Sequence, residues 1–308
     1  MRQVAGRGMV TTLVVACLLA SCTAPDNSNG QTEAVRSASS APRPSTGGGL
    51  GARLRMPATQ SVAELADQLD LAVATLRDRE ASNADLRKAG RFQQLAVRTL
   101  AAASVPLRRE VMVRLQAETA QATGGIVRAA GGLRALTEPQ TTLPWWRIVA
   151  PPPPQELLGY YRQAQRRTGV PWTYLAAIHL VETRMGRIRG ASTAGALGPM
   201  QFIPSTWAVY GAGGDINDPK DAILAAARLL RAYGAPGDTA DALWHYNPSF
   251  HYVRAVTEYA RTMQRSASLY RGYWHWRVLY RHTRGTYVLP VGYPDRRQVL
   301  LKEPSLVR

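Results

Sequence analysis

The stretch Val170-Pro171-Trp172-Thr173-Tyr174-Leu175-Ala176-Ala177-Ile178-His179-Leu180-Val181-Glu182-Thr183-Arg184-Met185 decides how this chain is read. Pro171 suits the start of a helix, where the N–H that proline lacks would be unbonded anyway. From there Leu175, Ile178, Glu182 and Met185 recur at spacings of three, four and three, which places them on one helical face. Glu182 therefore falls within an apolar stripe. A carboxylate buried without a partner is costly to charge, and the usual response is a raised pKa that keeps the group protonated near neutral pH. Such a group suits general-acid work. The alternative is an ion pair with Arg184, Arg187 or Arg189, which would make Glu182 structural.

Downstream, Gly186, Gly190, Gly195, Gly198, Gly211, Gly213 and Gly214 crowd a stretch that also carries Ser192, Gln201, Ser205 and Thr206. This is the composition of loops lining a polar cleft. Trp244-His245-Tyr246-Asn247-Pro248 follows. Amides, hydroxyls and aromatic faces are the groups that grip sugars.

Three motifs in order then carry a resemblance: Ala177-Ile178-His179-Leu180-Val181-Glu182-Thr183, the run from Ala191 through Gly195-Ala196-Leu197-Gly198-Pro199-Met200-Gln201-Phe202-Ile203-Pro204 to Trp207, and Ala242-Leu243-Trp244-His245-Tyr246-Asn247. Together they resemble the catalytic domain of bacterial soluble lytic transglycosylases, with its goose-lysozyme-like fold, over residues 155 to 264. The resemblance implies that Glu182 is the sole acid/base, that Ser192, Met200 and Gln201 contact the substrate's acetamido and sugar groups, and that Tyr246 and Asn247 close the site. Two positions depart from the family pattern: Thr183 stands where Ser is common, and Pro199 where Leu is. Thr keeps the hydroxyl, whereas the proline is expected to reshape the cleft floor.

A single carboxylate has mechanistic consequences. Glycosidases ordinarily flank the bond with two carboxylates, but in substrate-assisted enzymes the sugar's own N-acetyl group supplies the nucleophile. The resemblance implies that Glu182 protonates the leaving oxygen between MurNAc and GlcNAc, then takes the C6 hydroxyl proton as a 1,6-anhydro ring closes. Asp215, Asp218, Asp221 and Asp238 are candidate second carboxylates, although turn and helix-cap roles account for them, Asp221 as a cap or first-turn acid. A calcium loop at Asp215 fails, because Pro219, Lys220 and Ala226 occupy positions that need a ligand, Gly and Glu. The five histidines, His179, His245, His251, His275 and His282, lack metal-site spacing. Neither a metal nor another cofactor is expected. Two other readings stay open: a lysozyme-type hydrolase with water as acceptor, and a non-catalytic wall-binding protein.

Around this region the expected architecture is mainly α: a lysozyme-like helical catalytic domain, an N-terminal helical segment and a small C-terminal β-hairpin-like extension. Residues 60 to 150 read as a helical hairpin or bundle. Ser61 and Glu64 form a capping-box pair ahead of Val62, Leu65, Leu69, Val73 and Leu76. A second helix carries Leu86, Phe92, Leu95 and Leu100, and Pro106 opens a third before Gly124-Gly125 and Gly131-Gly132 interrupt. No partner for these helices can be named. Pro151 to Pro154 predicts a stiff, non-helical spacer at a boundary, and no strands are expected from 155 to 264. Residues 265 to 308 hold nine basic residues, two acidic ones and seven aromatics, with a hairpin expected from Trp274 to Pro290.

The chain of 308 residues carries 38 basic and 21 acidic residues, a net charge of +17, and only Lys88, Lys220 and Lys302 among the cations are lysine. That balance attracts acidic partners, and the N-terminus selects among them. Arg2 and Arg7 precede an apolar run from Met9 to Ala20, the right length for a signal-peptide core. Leu19-Ala20-Ser21-Cys22 resembles a bacterial lipobox, which implies removal of residues 1 to 21 and lipidation of Cys22. Residues 22 to 59 are polar and Gly-rich and read as a disordered tether with a span of roughly 33 Å. An extracytoplasmic, membrane-anchored protein is thus expected, with peptidoglycan strands and acidic wall polymers as candidate partners and no nucleic acid. The two cysteines, Cys17 and Cys22, leave no disulfide for the rest of the chain.

Overall fold

A computed structural model describes residues 54–55, 59–302 and 305–307. The signal segment and Cys22 lie outside them. The chain enters through β1 (Thr59–Ser61) and four helices, α1 (Val62–Arg77), α2 (Asn83–Ala102), α3 (Val105–Arg114) and α4 (Ala117–Ala135). After β2 (Arg147–Ile148) come α5 (Pro154–Thr168), α6 (Trp172–Thr183), β3 (Ile188–Arg189), α7 (Pro204–Tyr210), α8 (Pro219–Ala232), α9 (Thr239–Tyr246) and α10 (Phe250–Arg265). The chain closes with α11 (Leu269–Trp274), β4 (Val278–His282), β5 (Gly285–Leu289), β6 (Val299–Leu300) and β7 (Ser305–Val307). The fold is mainly α, as the sequence predicts.

Serines start the N-terminal helices. The capping box of α1 forms in full: the Ser61 hydroxyl accepts from the Glu64 amide at 3.2 Å, and the Ser61 amide donates to Glu64 Oε2 at 2.9 Å. The Ser82 and Ser104 hydroxyls cap α2 and α3 by accepting from the Asp85 and Leu107 amides. The glycines expected to interrupt this region instead lie inside α4. They let α4 approach α10: a Cβ at Gly125 would sit 2.9 Å from Glu258 Oε2 and 3.2 Å from Thr262 Oγ1. Arg128, one turn on, clamps Glu258 with two bonds of 2.9 and 3.1 Å. The packing at this crossing outweighs the cost of glycine within a helix, about 1 kcal/mol each.

A single apolar core runs through both halves, joining Leu65, Leu69, Phe92 and Ile126 with Leu175, Ile178, Ile223, Val256 and Met263. Leu54, inside the segment expected to be a free tether, is buried in it, and the Arg55 amide donates to Gln68 Oε1 at 2.7 Å. Thr59–Ser61 are likewise ordered, paired in parallel with β7. The proline run is pinned rather than free. Pro152 and Pro154 carbonyls accept from Trp274 Nε1 and the Tyr270 hydroxyl at 3.0 and 2.9 Å. Pro154 itself opens α5, a position where its missing N–H costs nothing.

The expected hairpin is β4–β5, with β6 added as a third strand. It forms a second core of Val278, Tyr280, Leu289 and Tyr293 with Trp146, Ile148 and Ile188. The last of these belongs to β3, a two-residue strand where none was expected, paired antiparallel with β2.

Candidate active site

Helix α6 is buried along most of its length. Its sequence predicts one apolar face, yet Ala176, Ala177, His179, Leu180 and Thr183 are buried along with Leu175, Ile178 and Glu182. The helix also ends earlier than the spacing predicts. Arg184 and Met185 both turn into the left-handed region, at φ 54° and 61°, so Met185 reaches the core from a turn rather than from the helical stripe.

Glu182 is 2% exposed. Oε1 accepts a hydrogen bond of 2.7 Å from the Tyr252 hydroxyl, and Oε2 has no partner. Burial pushes the carboxyl up to about 8, against a smaller lowering by the Tyr252 bond. Neighbouring guanidiniums donate to main-chain oxygens. Arg184 reaches Leu180 at 2.6 Å, Arg187 reaches Arg184 and Trp274 at 3.1 and 2.5 Å, and Arg189 reaches Asn217 at 3.2 Å. Desolvation rather than an ion pair therefore governs this carboxyl.

The loop after β3 is tied to α6 and α9 by backbone oxygens. Thr183 Oγ1 donates to the Pro199 carbonyl at 2.6 Å and accepts from the Gly186 amide at 3.1 Å, so the hydroxyl that threonine retains is in use. Gly198, at φ 73°, packs so close that a Cβ would lie 1.9 Å from the Ile216 carbonyl oxygen. Gln201 follows in a strained left-handed conformation, φ 51°, with Nε2 donating to the Gly198 carbonyl at 2.9 Å. Ser192 Oγ accepts from the Ala196 amide at 3.0 Å. The Met200 side chain is fully buried, while its carbonyl accepts from the Tyr246 hydroxyl at 2.6 Å. Tyr246 in turn stacks on Tyr252, ring centroids 6.3 Å apart and planes 5° from parallel. Asn247, 3% exposed, closes α9. Met200, Tyr246, Tyr252 and Glu182 thus form one connected group, with Gln201 next in the chain and Ser192 at the far end of the loop.

Tyr252 was not singled out in the sequence. Its signal is a hydroxyl on the apolar stripe Tyr252, Val256, Tyr259, Met263 of α10, a pattern that also describes ordinary core tyrosines. His179 sits one turn before Glu182 with Nδ1 2.6 Å from the Tyr161 hydroxyl, and burial holds it down to about 3, so it is neutral near pH 7. The aspartates are occupied locally: Asp218 and Asp238 cap α8 and α9, Asp221 accepts from the Asp215 amide at 3.0 Å, and Asp215 accepts from the Asn217 amide at 2.8 Å.

A buried, protonated carboxyl beside a loop of amides, hydroxyls and glycine turns is the arrangement the comparison with known families bears on. Residues 159–268 match the family model of the transglycosylase SLT domain. Members of that family are peptidoglycan lytic transglycosylases, and the match supports an enzyme of this type acting on peptidoglycan. No curated protein and no solved structure gives a significant match. The SLT segment starts within α5 and ends at Ser268, just before α11, so it contains Glu182, the loop from Ser192 to Gln201, Tyr246, Asn247 and Tyr252. Helices α1 to α4 and the β4–β6 sheet lie outside it.

Proposed function

We propose that the chain is a lipid-anchored lytic transglycosylase that cleaves the β-1,4 bond between MurNAc and GlcNAc with Glu182 as its single acid/base. One observation carries the reading: a carboxyl held near pKa 8 by burial, with one oxygen bonded to Tyr252 and the other unbonded. Below that pKa Glu182 is the acid that protonates the glycosidic oxygen as the bond to C1 breaks. The substrate's N-acetyl group supports the developing charge at C1. The carboxylate left behind then takes the C6 hydroxyl proton, O6 closes on C1, and the product carries a 1,6-anhydro ring without consuming water. Tyr252 holds the carboxyl in both states, since its hydroxyl donates to either form. The helix-capping and turn-bound aspartates support a one-carboxylate mechanism over a hydrolase that needs a second carboxylate to activate water.

Mass spectrometry of products from purified glycan tests the chemistry. Ends one water lighter than reducing MurNAc are expected, and products with reducing ends alone would overturn the assignment. Anchoring rests on Cys22 after Leu19-Ala20-Ser21. Cys22→Ser is expected to move the protein from the membrane fraction to the soluble one, and unchanged membrane retention would refute lipidation there.

A further inference from the structure

The β2–β3 ladder sets Arg147 directly opposite Arg189 and Ile148 opposite Ile188. Both isoleucines are buried in the second core, so the two arginines share the outer face. Burial alternates from Pro144 to Ile148, which places Trp145 on that face too, 77% exposed, between buried Pro144 and Trp146. Trp146 fixes the strand. It packs edge-on to Tyr280 at 5.6 Å, and a Cβ at Gly190 would lie 3.0 Å from its Cδ1.

This face combines two unusual features. Like charges directly opposite in a ladder are destabilising, yet among the described residues the Arg147 guanidinium has neither an ion pair nor a hydrogen bond, and the Arg189 guanidinium reaches only the Asn217 carbonyl. An indole on the surface also keeps a large apolar area in water. The face adjoins the candidate cleft, because the Gly190 carbonyl next to Arg189 accepts from Gln201 Nε2 at 3.4 Å, and Asn217 follows the Ile216 carbonyl on which Gly198 packs.

We propose that Trp145, Arg147 and Arg189 form an outlying subsite for the anionic muramyl sugars of the glycan strand. The indole offers a stacking platform for a pyranose face, and the paired guanidiniums take the carboxylates of the lactyl group or the attached peptide. Trp145 and Arg147 lie outside residues 159–268, so chain beyond the matched segment completes substrate recognition. This rests on the peptidoglycan reading.

The test is calorimetric binding to the full chain carrying Glu182→Gln, with a muramyl oligosaccharide and a chitooligosaccharide of equal length as ligands. Trp145→Ala is expected to weaken both about ten-fold, the equivalent of losing roughly 50 Å² of buried apolar area. Arg147→Glu is expected to weaken the muramyl oligomer about five-fold more than the neutral one, with the gap closing at high salt. Variants with unchanged melting temperature that bind the muramyl oligomer as the parent does would overturn the subsite alone. A parent that binds no muramyl oligomer would overturn the peptidoglycan reading with it. Loss confined to a purified phosphodiester wall polymer, with glycan binding intact, would also overturn the proposal by assigning the face to another anion.

Discussion

At the scale of the residue, the proposed acid/base role of Glu182 rests on what is absent around its carboxyl. The carboxyl has one donor, Tyr252, and burial sets its pKa near 8. Activity that needs the protonated form is flat below that value and falls as pH rises through it, which places the alkaline limb of kcat/KM near pH 8. Glu182→Gln is expected to lower kcat by about two to four orders of magnitude with glycan binding retained. Tyr252→Phe removes the one bond that favours the charged form, so the limb should move to higher pH; a limb that stays or moves down would show that the bond does not set the titration. Linkage gives a further consequence of opposite use. Between the ordinary carboxylate range and pH 8 the native state binds a proton that the unfolded chain has released, so stability falls as pH rises across that window. Thermal melts of Glu182→Gln should lose that part of the slope. The burial of Glu182 was legible from spacing, because it falls in an apolar stripe, whereas the acid/base role assigned to it came from the resemblance of the surrounding motifs. Tyr252 was not, because a tyrosine in such a stripe is common and only the fold aims its hydroxyl at Oε1.

At the scale of the element, glycine has two opposite uses, and sequence separates them poorly. In α4, Gly125 stays helical and gives room for Glu258 and Thr262 of α10. In the cleft loop, Gly198 is needed for its φ of 73° and for its contact with the Ile216 carbonyl. A run of glycines looks the same in both places, which is why the α4 glycines read as breaks while the cleft glycines read correctly as turns. The two loop glycines 195 and 198 make a controlled comparison. Both have positive φ, 76° and 73°, but a Cβ at Gly195 meets nothing within 4 Å. Gly195→Ala should therefore cost only the left-handed penalty, about 1–2 kcal/mol, with kcat little changed. Gly198→Ala adds a backbone clash that must displace the loop holding Gln201 and the Met200 carbonyl, so kcat/KM should fall by at least about ten-fold. Equal behaviour of the two variants in melting and turnover would refute this account of the loop.

At the scale of the whole molecule, the arginine excess has an internal use that composition alone does not reveal. Arg184, Arg187, Arg228, Arg231 and Arg271 all donate to main-chain carbonyls, and Arg271 bridges from α11 to the Leu76 and Asp78 carbonyls at the end of α1 at 2.5 and 2.9 Å. Cations at helix C-termini satisfy oxygens that the helix leaves unbonded. Part of the arginine content is thus used inside the fold, with Arg271 tying α11 to the end of α1. Motif order made the catalytic segment legible, whereas the union of the two halves was not, because the residues that join them, Ile126 and Gly125 among them, are ordinary apolar or small residues in sequence. Independent domains each keep a core of their own; here one core runs from α1 to α10, and the Arg128–Glu258 clamp crosses it. A fragment of residues 151–308 would leave the α4-facing side of α10 in water together with the surface that Leu76 and Gln93 cover at Gly272. We expect the full chain to melt in one transition and the fragment to melt at least roughly 10 °C lower, since each kcal/mol lost moves the melting point of a chain this size by about 2–4 °C. Calorimetry on both decides the matter: a fragment that melts with the full chain and keeps its turnover would make α1 to α4 an accessory domain, and a large loss would make them part of the wall on which Glu182 is held.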